Sequence, residues 1–196
     1  KDDMASMEHP LFSLATKPDM RHLLYESGDS RLEITPSYNG LPTIFDKDIL
    51  IFCISQLMHL KNRGEQIGKR VRFTGRELLV ATNRPTNNLG YKRLRGTTFK
   101  TDIRTGNKME TRIFGLIDEG GFVMRDDGSW RLDYCEVVLS DWLMRAIESN
   151  EVVTISPDYF RLRRPLERRF YEIARKHCGA QPKWQIGLAN LQNKTG

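Results

Sequence analysis

The sequence predicts an α+β fold, and three observations carry that expectation. Residues 45–64, FDKDILIFCISQLMHLKNRG, are apolar on every side of a helical wheel, which marks a helix surrounded by core. Thr74 and Glu77 stand three apart behind the short β-type run Arg70–Phe73, the spacing of a reciprocal helix cap. From Gly96 to Leu139, extended runs alternate with glycine-bearing turns, as antiparallel strands require.

Taken in order, residues 1–42 hold Pro10, Pro18, Pro36, Gly40 and Pro42 and little periodicity. They are expected to form an arm with one short strand at Arg31–Thr35. Lys1 to Ser6 read as foreign to the natural chain, with Met7 as its start. The apolar helix follows and ends at Gly64. The capped helix runs from Gly75 to about Asn83, with Phe73 able to pack on Leu78 as a hydrophobic staple. Pro85 lacks the donor to continue it, so Arg84–Asn87 is a turn, and Asn88 to about Arg95 is a third, short helix. Phe99 and Ile103 share one face of a strand, Arg104–Lys108 is a hairpin turn, and Thr111–Ile117 returns. Gly120-Gly121 and Asp126-Asp127-Gly128 are further turns, and Trp130–Leu139 is another strand. Ser140 or Asp141 caps a helix that Asn150 closes. Val152–Ile155 and Tyr159–Leu162 are short extended pieces. Pro165 opens a last long helix, where a missing amide proton costs nothing, and Gly179 stops it.

The chain has 196 residues, a hydrophobic content of 39%, a net charge of +6 and a pI of about 9.3. A basic balance favours an acidic partner such as nucleic acid. No apolar run approaches the roughly 18 residues of a membrane span, and the start KDDMASMEHPLF lacks a signal-peptide core. The cysteines, Cys53, Cys135 and Cys178, are odd in number, form no C-x-x-C pair and sit in apolar patterns. Buried thiols in a reducing cytoplasm are expected, without a metal site. No phosphate-binding loop ending in Gly-Lys-Ser or Gly-Lys-Thr is present, and His9, His22, His59 and His177 are scattered singly. Those absences speak against a nucleotidase or a metal-dependent DNA-nicking enzyme. Asp46 and Asp48 stand in the opening turn of the apolar helix, where acids complement the helix dipole. No catalytic residue, metal or cofactor is therefore expected.

Three helices followed by a two-stranded hairpin is the order of a winged helix, whose second and third helices form a helix-turn-helix and whose hairpin is the wing. The cations fall where such a module needs them. Asn87, Asn88, Tyr91, Lys92, Arg93 and Arg95 are expected at or near a DNA groove, with completion of the core the alternative for Tyr91, and Lys100, Arg104 and Lys108 on the backbone from the wing. Arg76, Arg84 and Thr98 extend the same surface. A second basic stretch, from Arg161 to Lys176, adds Arg163 and Arg164 as phosphate contacts. The same charges would also suit the solvated face of a small α/β layer, a reading that the order of elements together with the local charge disfavours.

Several segments together resemble a known family: FDKDILIFCISQLM, VRFTGRELLVATNR, RLRGTTF, VVLSDWLMRAI and TISPDYFRLRRPLERRFYEIARKHCG. They are similar to the plasmid replication initiator protein A family, from about Met7 to the last residue. The resemblance implies binding to repeated or palindromic double-stranded DNA at a plasmid origin, melting of the duplex, and recruitment of host initiation and helicase-loading proteins. It also implies two winged helices, the first serving in a homodimer. On this reading residues 43–155 are the first winged helix. Residues 156–196 are a linker and the beginning of a second, truncated one, with Ile186–Gln192 in its opening. NRPTNNLGYKRLRGTTF is shorter than the family's pattern between Asn-Arg and Arg-Gly-Thr-Thr. The alternative is a dimerisation and docking module, paired through a strand such as Trp130–Leu139, that leaves sequence reading to a further part.

Overall fold

The structure is a computed structural model that describes residues 1–28, 30–84, 88–105, 108–126, 128 and 131–196, apart from the side chains of Ala5, Glu8, Ser27, Asn88, Leu89, Arg104 and Thr105. The chain begins with β1 (Asp2–Asp3), α1 (Met4–Glu8), β2 (Leu23–Ser27) and β3 (Ser30–Thr35). Then come α2 (Lys47–Asn62), β4 (Arg70–Phe73), α3 (Gly75–Thr82) and α4 (Asn88–Gly96). Four strands follow: β5 (Thr98–Thr105), β6 (Lys108–Phe114), β7 (Ile117–Met124) and β8 (Leu132–Leu139). The chain continues through α5 (Asp141–Glu148), β9 (Val152–Val153), a 3-10 turn at Pro157–Arg161, α6 (Pro165–Cys178) and α7 (Leu188–Thr195).

The helix α2 is the centre of the molecule. Ile49, Leu50, Phe52, Cys53, Ile54, Leu57 and Met58 are buried in the main core, and Ile51 faces a second cluster with Met7, Ile155 and Tyr159. Each such side chain contributes about 1.5–3 kcal/mol by leaving water, so the apolar pattern translates into a helix covered all round through Ile54, with only Gln56, His59 and Asn62 exposed along one stripe of its second half. The capping box at α3 forms as its spacing predicts. Thr74 Oγ1 accepts from the Glu77 amide at 3.2 Å, and the Glu77 carboxylate accepts from the Thr74 amide at 2.6 Å. Phe73 and Leu78, the expected staple, are both in the main core. Asn83 ends the helix in the left-handed region at φ 56°, where asparagine is tolerated better than most residues.

Besides the short β1-β9 pair, two larger antiparallel sheets flank the helices. One has the order β4-β8-β7, the other β2-β3-β5-β6. The hairpin expected to return through Thr111–Ile117 exists as β5–β6, but β6 ends at Phe114 and Ile117 opens β7; Ile34 pairs with Phe99 and Glu33 with Lys100, so the hairpin belongs with strands from the first 42 residues. That stretch was expected to be an arm with a single strand. It supplies β2 as well as β3, because Leu23 and Ile34 can cover the inner face only as a paired hairpin. Nor are Lys1 to Ser6 foreign to the fold: Asp2 and Asp3 are buried and pair with Val153 and Val152.

Three further expectations change. Gly120-Gly121 lies inside β7 rather than in a turn, for a packing reason given below. Tyr159–Leu162 is no extended piece, since Ser156 caps the 3-10 turn by accepting from the Asp158 amide at 3.2 Å. The strand Trp130–Leu139 is observed as β8, with Trp130 outside the described residues. As the middle strand of its sheet, β8 has both edges taken and has none to offer a second copy.

A buried ionic network locks α6 to the start of the chain and to α2. Lys47 Nζ lies 2.7 Å from Asp2 and 3.1 Å from Glu172, and Tyr159 donates to Glu172 at 2.6 Å. Arg169 donates to the carbonyls of Met7 at 3.0 Å and Lys194 at 2.6 Å. Arg168 and Arg169, read from sequence only as part of a basic stretch, are thus interior residues.

Candidate nucleic-acid interface

The helix α4 is held against β7 by its apolar side. Tyr91 and Leu94 are 3% and 0% exposed. A Cβ at Gly120 of β7 would stand 2.9 Å from Tyr91 Cδ1 and 2.9 Å from Ile117 Cδ1. Glycine there lets the ring lie directly on the strand. Tyr91, expected at a DNA groove, is therefore a core residue.

Clamping that side turns Lys92 and Arg95 outward, one helical turn apart and both exposed. The cation between them has a different fate. Arg93 Nε and Nη2 donate to the two oxygens of Asp46 at 2.7 and 2.8 Å, and Asp46 also accepts from the Thr43 amide at 2.8 Å. The Arg93 and Asp46 side chains are only 14% and 2% exposed. Such a two-pronged, charge-assisted pair bolts α4 to the first turn of α2.

Asp48 does the same for another pair of cations. Arg168 donates to it at 2.5 Å, and Arg84 Nε lies 3.5 Å away. The Arg84 guanidinium stacks 3.8 Å from the centre of the Phe45 ring, against which Arg168 also lies at 4.7 Å. Burial pushes the Asp48 carboxyl up to about 6, with Arg168 opposing the shift. Burial also lowers the Arg84 guanidinium from its ordinary value, and Arg168 adds to this. Asp46 and Asp48, expected to serve the helix dipole, are thus also the anchors of three arginines.

The remaining expected residues divide. Arg76 on α3, Thr98 at the head of β5 and Lys108 at the head of β6 are exposed. Lys100 sits between Glu33 at 3.8 Å and Asp102 at 3.6 Å. Arg163 and Arg164 are exposed before α6, with Arg164 3.8 Å from Glu167. Asn87 lies outside the described residues, as do the side chains of Asn88 and Arg104. The structure therefore brings Lys92 and Arg95 together on one face, takes Tyr91 and Arg93 inward, and lays Arg84 on the Phe45 ring with its side chain still 38% exposed. Lys100 and Lys108 stand on a different sheet from the one α4 packs against. Sequence reasoning passed over Arg125 and Arg131, which flank the β7–β8 connection. Arg125 pairs with Asp133 at 2.9 Å, while Arg131 is exposed. The signal was available, since both bracket a turn that the Asp-Asp-Gly run had already marked.

Among the described residues no group of three His, Cys, Asp or Glu side chains could hold a metal ion, and no helix is long and apolar enough to cross a membrane. Cys53 and Cys135 are buried free thiols, whereas Cys178 is half-buried, its thiol donating to the Gln181 carbonyl at 2.9 Å.

The fold is similar to that of domains 2 and 3 of RctB, solved as a selenomethionine derivative, with a TM-score of 0.68 and 11% identity over 98% of this chain and 76% of that one. In sequence, a putative replication protein of Wigglesworthia glossinidia brevipalpis is 37% identical over 205 residues, covering all of this chain and 74% of the relative. The structural likeness gives the fold, and the sequence likeness gives a protein of the replication class. The family described as Replication initiator protein A matches residues 1–196, and the chain belongs to it.

Proposed function

We propose that this chain initiates plasmid replication by binding double-stranded origin DNA through a winged helix. On this reading α2, β4, α3, α4, β7 and β8 make the module, with β7–β8 as its wing. The β5–β6 hairpin is then an insertion between α4 and β7. The observation that carries the reading is α4 itself. Its Tyr91 and Leu94 side is clamped to the sheet, and its Lys92 and Arg95 side is presented to solvent with no acid anywhere in the helix. A short helix held rigidly in this way suits insertion into a major groove. Arg76 and Arg131 add phosphate contacts on this scheme, while Arg93 acts only by fixing the angle of α4. The bound chain works as a homodimer on repeated or palindromic sites. It recruits host initiation and helicase-loading proteins and performs no chemical step of its own.

The test is fluorescence anisotropy on origin and scrambled duplexes at two salt concentrations. Lys92→Ala and Arg95→Ala are expected to weaken origin binding. Arg131→Ala should weaken it more than Lys108→Ala if β7–β8 is the wing. Equal binding to both duplexes, or variants indistinguishable from the parent, would remove α4 from sequence reading.

A further inference from the structure

Two loops of the first 42 residues meet beside the end of α4. One of them, the tight turn Ser37–Gly40, is braced from within. Gly40 donates its amide to the Ser37 carbonyl at 2.9 Å, Asn39 donates to Ser37 Oγ at 3.1 Å, and that hydroxyl donates to the Gly40 carbonyl at 2.7 Å. The turn is also braced from behind. Leu41 donates to the Asp19 carbonyl at 2.8 Å, and a Cβ on Gly40, which sits at φ 87°, would stand 2.9 Å from the Asp19 amide nitrogen. Ser37 and Asp19 are buried, yet Tyr38 at the apex is 96% exposed. A single exposed aromatic is ordinary. One whose backbone is fixed this thoroughly is already ordered for a partner, and binding loses less entropy for it.

Position and charge indicate the partner. A Cβ on Gly96, the last residue of α4, would stand 2.8 Å from Ser37 Cβ. Neighbouring Cα atoms are about 3.8 Å apart, so the Tyr38 Cα lies within about 10 Å of the Gly96 Cα. That is the end of the helix that presents Lys92 and Arg95 to solvent. As for charge, the only acid between Ala15 and His22 is Asp19, and between Thr35 and Thr43 there is none. Asp19 is 7% exposed and held by Arg21 at 2.9 and 2.8 Å and by Ser13 at 2.7 Å. Lys17, Arg21 and His22 are exposed, so the two loops show cations, an aromatic ring and no acid to solvent. Such a surface suits a polyanion whose charges alternate with sugars.

We infer that the Ser37–Gly40 turn is a second contact to duplex DNA beside α4, with Tyr38 packing its ring on a deoxyribose and donating its hydroxyl to the adjoining phosphate. The inference rests on the DNA-binding reading above and adds to it a grip on the backbone that carries no sequence information.

Anisotropy on origin and scrambled duplexes at two salt concentrations, joined to hydroxyl-radical footprinting of the sugars, tests this on the full chain. Tyr38→Ala should weaken binding to both duplexes by the same factor, about fivefold, and uncover sugars at one margin of the protected stretch. The plot of log affinity against log salt should keep its slope, since a neutral side chain displaces no counterion. Tyr38→Phe keeps the ring and should fall between the parent and Tyr38→Ala. Neither variant should move the urea midpoint, because the side chain leaves no cavity.

A Tyr38→Ala variant that binds and protects DNA as the parent does would overturn the turn contact. A loss confined to origin duplex, or a flattened salt plot, would overturn it too. Lys92→Ala separates this contact from the role of α4. If Lys92→Ala weakens origin binding and Tyr38→Ala does not, only the turn contact falls. If Tyr38→Ala weakens both duplexes while Lys92→Ala changes nothing, the turn contact stands and α4 is off the groove. A chain that binds neither duplex refutes both.

Discussion

Replacing Arg93 by alanine separates a structural cation from a DNA-facing one. The change removes hydrogen bonds of 2.7 and 2.8 Å to Asp46, whose side chain is 2% exposed. Leaving one member of a buried pair alone costs about 3–5 kcal/mol. Asp46 keeps the Thr43 amide at 2.8 Å, and Arg93 is itself 14% exposed, so the expected loss lies at the lower end, about 3 kcal/mol. Urea unfolding at pH 7 reads this as a lower midpoint with an unchanged slope. Asp46→Asn keeps an oxygen for the Thr43 amide while removing the charge. The pair Asp46→Asn/Arg93→Ala should therefore recover much of the loss, and a double-mutant cycle should show coupling well above the roughly 0.5 kcal/mol expected of independent sites. An Arg93→Ala variant as stable as the parent but unable to bind origin DNA would refute the reasoning and return Arg93 to the interface.

Gly120→Ala places a methyl 2.9 Å from both Tyr91 and Ile117 and should cost about 1–3 kcal/mol, whereas Gly121→Ala, with nothing within 4 Å, should be nearly silent; equal midpoints for the two would remove the close packing of α4. Stability should fall as pH rises from about 5 to 7.5. Burial holds the carboxyls of Asp48 at about 6 and Asp2 at about 7, so the folded chain keeps protons there that the unfolded chain releases near 4. Below that window the trend reverses, because Arg21 holds Asp19 down to about 2 and its contribution is lost on acidification. A urea midpoint that climbs steadily from pH 5 to 7.5 would contradict this. Lys92→Ala should flatten the plot of log affinity against log salt by about 0.9 if Lys92 neutralises one phosphate; an unchanged slope would place it off the DNA.

The parts legible from sequence are those determined by neighbours along the chain. The apolar wrap of α2, the Thr74–Glu77 cap and the proline-opened α6 are local patterns, and each appears at its expected place. The partnership of β3 with β5 joins residues nearly seventy positions apart, and no local pattern encodes it. Gly120 misled for a related reason. A glycine pair reads as a turn, while the constraint that demands it is Tyr91 on a different element. The division among Lys92, Arg93 and Arg95 was half legible. Tyr91 and Leu94 mark the buried side of α4, but what claims Arg93 is Asp46, read at first as a partner of its own helix alone. Arg168 was hidden similarly, since a run of arginines looks solvated until the acids that bury it are known.

The pairing of β1 with β9 has a bearing on how the protein is born. Asp2 and Asp3 find their strand partners at Val153 and Val152, and Lys47 lies between Asp2 and Glu172. At about 5–20 residues per second, a ribosome needs roughly ten to thirty seconds after making β1 to supply β9. For that interval the second cluster around Ile51 and Tyr159 has no complete wall, and two acidic residues destined for the interior remain in water. Nascent chains arrested before residue 150 should thus be cut readily by protease near Asp2 and Asp3, and chains carried past α6 should resist.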